Sequence, residues 1–183
     1  MSDDRPWYRE PETFIAVAAL VVSVSAVVVG LYEAALQRRH DRAEVWPHVE
    51  ISTFIVPQGA AVRLDNTGIG PALVKSITVS VDGKSQHSWE EALTTLYGHE
   101  PPPHSSSTVT EHALRAGDQI TIVGVGAKDL PTNFWKWIGR VKVSVCYSSV
   151  FAESWRVTDN YLGGSSTWES VANCSPQPAG FDL

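Results

Sequence analysis

The sequence predicts a mainly β protein: an immunoglobulin-like β-sandwich with one short helix, preceded by a single N-terminal transmembrane α-helix. Three observations lead there. No charged residue occurs from Phe14 to Leu31. Beyond Trp46-Pro47, apolar residues recur with period two in about seven short runs separated by turn residues. Those runs do not alternate with helical patterns, as a parallel sheet would require. The 183 residues divide into an N-terminal tail (1–12), a transmembrane helix (13–36), a juxtamembrane linker (37–47), the β-sandwich domain (48–172) and a C-terminal tail (173–183).

The uncharged run is long enough for a bilayer. At about 1.5 Å per residue, 14–31 extends roughly 27 Å, close to the thickness of a hydrocarbon core. Inside lipid a helix satisfies its own backbone groups, so the β-branched content does not argue for a strand. Trp7 and Tyr8 before the run and Tyr32 after it suit the headgroup level. Ala34, Ala35, Leu36 and Gln37 carry the helix on toward Glu44, and Pro47 stops it. A cleaved signal peptide would have a basic start and a shorter apolar core, which this segment lacks.

Charges near the span address orientation. Arg5 and Arg9 precede it; Arg38, Arg39 and Arg42 follow it. The positive-inside rule then slightly favours a cytoplasmic β domain over a periplasmic one. Ala16, Ala19, Ser23, Ala26 and Gly30 recur at spacings of three and four, which puts them on one helix face. Small residues let helix backbones approach in lipid, so this stripe is the expected contact with another transmembrane helix, from a second copy or a partner subunit.

In the soluble part, Val49, Ile51 and, after a slip, Phe54 and Val56 suggest a first strand. Ala61–Asp65 and Leu73–Val81 follow, the latter closed by the turn Asp82-Gly83. In that third strand, Val74, Ser76, Thr78 and Ser80 share one face; Leu73, Lys75, Ile77, Val79 and Val81 share the other. Ser88 caps a helix to Tyr97, with Glu90 and Glu91 in its first turn and Gly98 at its end. His99–Ser107, with three prolines, reads as an exposed loop. Strands resume at Thr108–Leu114 and Gln119–Val125; Leu130–Gly139 reads as a helical turn, and Arg140–Tyr147 with Phe151–Thr158 as a hairpin.

Asn66-Thr-Gly-Ile-Gly-Pro-Ala72 is the most specific motif. Asn66, Gly68 and Gly70 tolerate unusual backbone angles and Pro71 donates no ladder bond, so these four residues form a structural turn between strands. With the anchor and the Cys146–Trp155 hairpin, the motif resembles uncharacterised bacterial single-pass membrane proteins, in which an N-terminal helix precedes a β-sandwich with an Asn-x-Gly-x-Gly-Pro-Ala turn. The resemblance implies an architecture and a bacterial inner-membrane setting, and it brings no catalytic residues.

Catalysis finds no frame. The glycine motif lacks the following helix and Lys-Ser start of a phosphate loop. His99, His104 and His112 have no metal-site spacing, so no metal or other cofactor is expected. Ser105–Ser107 lie on a loop without a nucleophile elbow, and Ser148-Ser149 fill a hairpin turn. The chain is therefore not expected to be an enzyme. A net charge of −6 with no long Lys/Arg run argues against nucleic acid. The two cysteines, Cys146 and Cys174, form either one disulfide in an oxidising compartment or two free thiols in the cytosol. Trp155 is expected in the core, while Trp135 and Trp137 fit either core or surface.

These readings together describe a membrane-anchored accessory or scaffold protein in the lipid bilayer, whose sandwich binds a protein partner. The competing reading is a tethered sensor, which calls for an apolar pocket with converging polar groups.

Overall fold

The computed structural model describes residues 11–160, 166–175 and 181. Arg5, Trp7, Tyr8 and Arg9, which enter the charge count and the outer aromatic flank, lie outside them, as does most of the C-terminal tail. The chain forms two compact units, residues 1–43 and 44–183.

The first unit is the body of helix α1, Pro11–Glu44. Pro11 starts it where no amide partner is needed, Glu12 lies in its first turn, and Arg42 lies in its last. The helix continues through most of the expected linker, because 37–44 contains neither glycine nor proline. None of its residues is buried, and it is long and apolar enough to cross a membrane. Its two serine hydroxyls are satisfied locally: Ser23 Oγ donates to the Ala19 carbonyl and Ser25 Oγ to that of Val21, each at 2.8 Å. Neither needs a partner helix to satisfy it in lipid.

The second unit is built from two antiparallel sheets. Its described strands are β1 (Val49–Val56), β2 (Gly59–Asn66), β3 (Ala72–Val81), β4 (Lys84–Gln86), β5 (His104–Ser106), β6 (Ala113–Leu114), β7 (Gln119–Gly126), β8 (Val141–Ser148), β9 (Ser154–Asn160) and β10 (Thr167–Val171). One sheet runs β1-β2-β7-β5; the other runs β10-β9-β8-β3-β4, with β6 also on β3. Helix α2 spans Trp89–Tyr97, and the five-residue α3 spans Phe134–Ile138. Inward residues of both sheets share one core, including Val49, Leu64, Ile77, Ile122, Val143, Val145 and Val157, all essentially inaccessible.

The elements with strong local signals form as expected. Ser88 Oγ accepts from the Glu91 amide at 3.1 Å, and Gly98 closes α2 at φ 75°. β8 and β9 are a hairpin, and Val141, Val143 and Val145 share the buried face. Trp155 packs partly buried against the core, stacked on Tyr147 at 5.9 Å. Because α3 is helical, Trp135 and Trp137 diverge: Trp135 is exposed, whereas Trp137 Nε1 donates to the Leu96 carbonyl at 3.2 Å.

Several expectations are corrected. β1 has no slip; it pairs residue for residue from Val49↔Asn66 to Val56↔Gly59, so Thr53 points inward while Phe54 and Val56 point out. In β3 the slip lies between Val74 and Ser76, which turns Val74 to the same buried side as Ile77, Val79 and Val81. A bulge reverses the facing of every later residue, and periodicity alone cannot locate it. Only Ala113-Leu114 of the expected 108–114 strand is paired. Conversely, His104–Ser106 of the proline loop pairs with β7, and β4 and β10 add strands with little apolar alternation.

Tyr147 links the sheets. It is 1% exposed, and its hydroxyl accepts from the Val49 amide at 3.3 Å. Burial pushes the phenol above its ordinary 10.0. The folded domain therefore holds this proton more tightly than the unfolded chain, so the contribution is whole below pH 10 and is lost as pH rises through the folded value. Tyr147→Phe should cost about 1 kcal/mol at neutral pH, by orphaning the Val49 amide, and should flatten the fall in stability above pH 10. Chemical denaturation across pH 7–11 checks both effects.

Candidate functional site

Three features of the two-sheet unit are candidates for a site: the Asn66 turn, the disulfide and the outer edge of β1.

Asn66 is 1% exposed and serves as a clasp. Its Oδ1 accepts from the amides of His48 at 3.2 Å and Gly68 at 3.1 Å. Its Nδ2 faces three carbonyls, those of Gly70 at 2.8 Å, Leu114 at 2.9 Å and Arg115 at 3.1 Å. The turn also folds over 45–48, the segment that opens the second unit. The amides of Ile69 and Gly70 donate to the Trp46 carbonyl at 3.1 and 3.2 Å, and the Thr67 amide to that of His48 at 2.8 Å. A Cβ at Gly70 would overlap the Val45 backbone, and one at Gly68 would overlap 46–48. The glycines are needed for close backbone approach, since neither has positive φ. Pro71 leads directly into β3. The motif thus fastens the entry of the domain; nothing in it resembles a phosphate cradle.

Cys146 and Cys174 are joined by a disulfide with Cα atoms 5.6 Å apart. Cys146 is buried on β8, and the bond ties the chain beyond β10 to this central strand.

Among the described strands β1 lies at an edge, paired with β2 alone. The bond from the Thr67 amide to the His48 carbonyl sets the parity: even-numbered residues of β1 face β2, and odd-numbered ones face outward. The outward groups of Val49 are occupied, its amide by Tyr147 Oη and its carbonyl by Trp168 Nε1 at 2.8 Å. Trp168 stacks on His48 at 4.9 Å, and His48 lies 5.3 Å from Trp46, making a row of three rings. Beyond that corner, among the described residues, no hydrogen bond reaches the outward backbone groups of Ile51, Thr53 or Ile55.

On the outer face of the same sheet, Asp65 is held at 2.6 Å by both Arg63 Nε and Ser52 Oγ, with the Arg63 guanidinium 5.0 Å from the Phe54 ring. These contacts brace the outer face of the sheet. Arg140 grips Asp82 at the β3–β4 turn and holds its carboxyl below the ordinary range.

The remaining candidates do not converge. His99, His104 and His112 form no common ligand set among the described residues. The first two turn Nδ1 to nearby carbonyls, those of Glu100 at 2.8 Å and Pro102 at 3.1 Å. Ser149 Oγ accepts from the Phe151 amide at 3.1 Å, as a turn serine does. A void of about 30 Å³, with apolar walls from Leu93, Val123, Phe134 and their neighbours, lies beneath α2 and α3. That volume equals roughly two water molecules, far below the several hundred Å³ of a ligand pocket. The helix-stripe residues Ala16, Ala19, Ser23, Ala26 and Gly30 are all exposed on α1.

Sequence reading missed the β1 edge because it placed a slip at Thr53. The available signal was the run Val-Glu-Ile-Ser-Thr-Phe-Ile-Val, eight residues with no lysine or proline to blunt an edge. No protein-family model, curated protein or solved structure matches the chain significantly.

Proposed function

We propose that the chain is a single-pass membrane protein whose two-sheet domain serves as an accessory or scaffold module, binding a protein partner by strand addition. The observation that carries this reading is β1: an eight-residue edge strand whose outward groups at Ile51, Thr53 and Ile55 have no partner among the described residues. The apolar α1, with no buried residue, supports the anchor, and its small-residue stripe supports a helix–helix contact in the membrane. The void beneath α2 and α3 is too small to hold a small-molecule ligand.

We read the paired sheets as an immunoglobulin-like sandwich. Two antiparallel sheets over one core support it, although the disulfide here joins β8 to the segment after β10. The disulfide also favours the periplasmic side for the domain, against the thin arginine margin that favours the cytoplasm.

Extraction of the full chain from its native membrane in mild detergent tests the accessory role. An assembly larger than the lone chain is expected, and a monomer with no associated protein would overturn the reading. A membrane-impermeant maleimide tests the side. On the periplasmic side, intact cells should show labelling only after reduction; cytoplasmic thiols would need opened cells and no reductant.

A further inference from the structure

We infer that the partner of the β1 edge is a second copy of this chain, added antiparallel about a two-fold axis through Thr53. The inference rests on the strand-addition reading above and names its occupant.

The backbone geometry selects the register. Ile51, Thr53 and Ile55 each present one N–H and one C=O outward, six groups in all. Pairing Thr53 with Thr53 sets Ile51 opposite Ile55 on both sides, so all six groups on each strand bond across the axis. Shifting the axis toward Ser52 sets Ile55 against Val49, whose groups Tyr147 and Trp168 already hold. Shifting it toward Phe54 sets Ile51 against Pro57, which has no N–H to give. Of these registers, the one centred on Thr53 leaves no outward group of the three residues unmatched.

The side chains agree. Thr53 Oγ1 is fully buried and has no hydrogen-bond partner among the described residues, which is an unfavourable state for a hydroxyl. In the isolated chain it is covered by the chain's own atoms, and a χ1 rotation toward the open edge would set it against the same hydroxyl of the second copy. Directly opposed residues in a hydrogen-bonded pair have Cα atoms about 5.5 Å apart, within reach of a threonine–threonine hydrogen bond. Glu50, the one charged residue of β1, then faces Val56 rather than its own copy, so no like charges oppose each other. Ile55 and Val56 are 45% and 39% exposed, and the pairing would cover them. The strand carries none of the lysines, prolines or bulges that keep edges single. The first sheet would thereby become an eight-stranded sheet running continuously through both copies.

Cross-linking of the full-length chain in its membrane tests this. In the register proposed, Thr53→Cys places two thiols at a separation suited to a disulfide. Mild oxidation should give a covalent dimer of two 19.9 kDa chains. Glu50→Cys, on the same strand but six residues out of register with its copy, should not. Adding Ile55→Lys should cut the Thr53→Cys dimer about tenfold or more by setting an ammonium against Ile51. A photo-reactive phenylalanine at Ile55 guards against misfolding of the cysteine variant, because this side chain is already exposed. Its adduct should weigh twice the chain. An adduct to a different protein would overturn self-pairing while leaving the accessory reading intact. Absence of any adduct at both positions would overturn both.

Discussion

Removing the Cys146–Cys174 disulfide is expected to cost the β domain about 3 to 4 kcal/mol. The bridged residues are 28 apart in sequence, and the loop-closure entropy of a segment of that size corresponds to this range. What it restrains is specific. The bridged segment contains β9 and β10, and β10 is an edge strand with mostly exposed side chains and little apolar burial of its own. Trp168 on β10 holds the outward carbonyl of Val49, so loosening β10 also loosens the corner between the sheets. Denaturant unfolding of the full chain in detergent, followed by tryptophan fluorescence, should give a lower midpoint for Cys146→Ala/Cys174→Ala. The parent in reductant should move to the same midpoint. Equal midpoints for all three would mean that β10 is held by its hydrogen bonds alone.

The sequence carried the elements whose causes are local. An uncharged run of bilayer length, a serine cap with glycine after the last turn, and Val141-x-Val-x-Val145 each specify an element within a few residues. Elements decided by distant partners were not legible. β10 is a strand because Thr158–Ser154 offers it a ladder, and Thr167-Trp-Glu-Ser-Val171 has no alternation to announce that. β5 forms at the end of a triple proline because Val123–Val125 lies beside it. The bulge in β3 answers to its pairing with β8, so the face of Val74 could not be read from spacing. The candidate edge suffered from the same blindness. An inward threonine breaks the apolar alternation of β1, and alternation was the only guide to register. The Asn66 motif was legible as a turn but not as a clasp, since four of its backbone and side-chain partners lie at 46, 48, 114 and 115.

Asn66→Ala should destabilise the domain by about 3 kcal/mol, because it leaves the His48 and Gly68 amides without their acceptor and three carbonyls without a donor. Gly70→Ala should be comparable, since its new Cβ has only Val45 backbone to displace. Asn66→Asp separates polarity from shape. The substituted side chain keeps an acceptor for the two amides but turns a second oxygen toward the three carbonyls. Burial and those carbonyls favour its neutral, donating form, so its pKa in the folded domain is raised above the ordinary 3.9 or so. Stability is then present below the unfolded pKa and is lost as pH rises through the folded one. The variant should approach the parent near pH 4 and fall well below it at pH 7, whereas Asn66→Ala should lose about the same amount at both. Melting temperatures of the three proteins at the two pH values decide the matter. A pH-independent Asn66→Asp would mean that water reaches the clasp and that Nδ2 is not what holds the entry segment to the sheet.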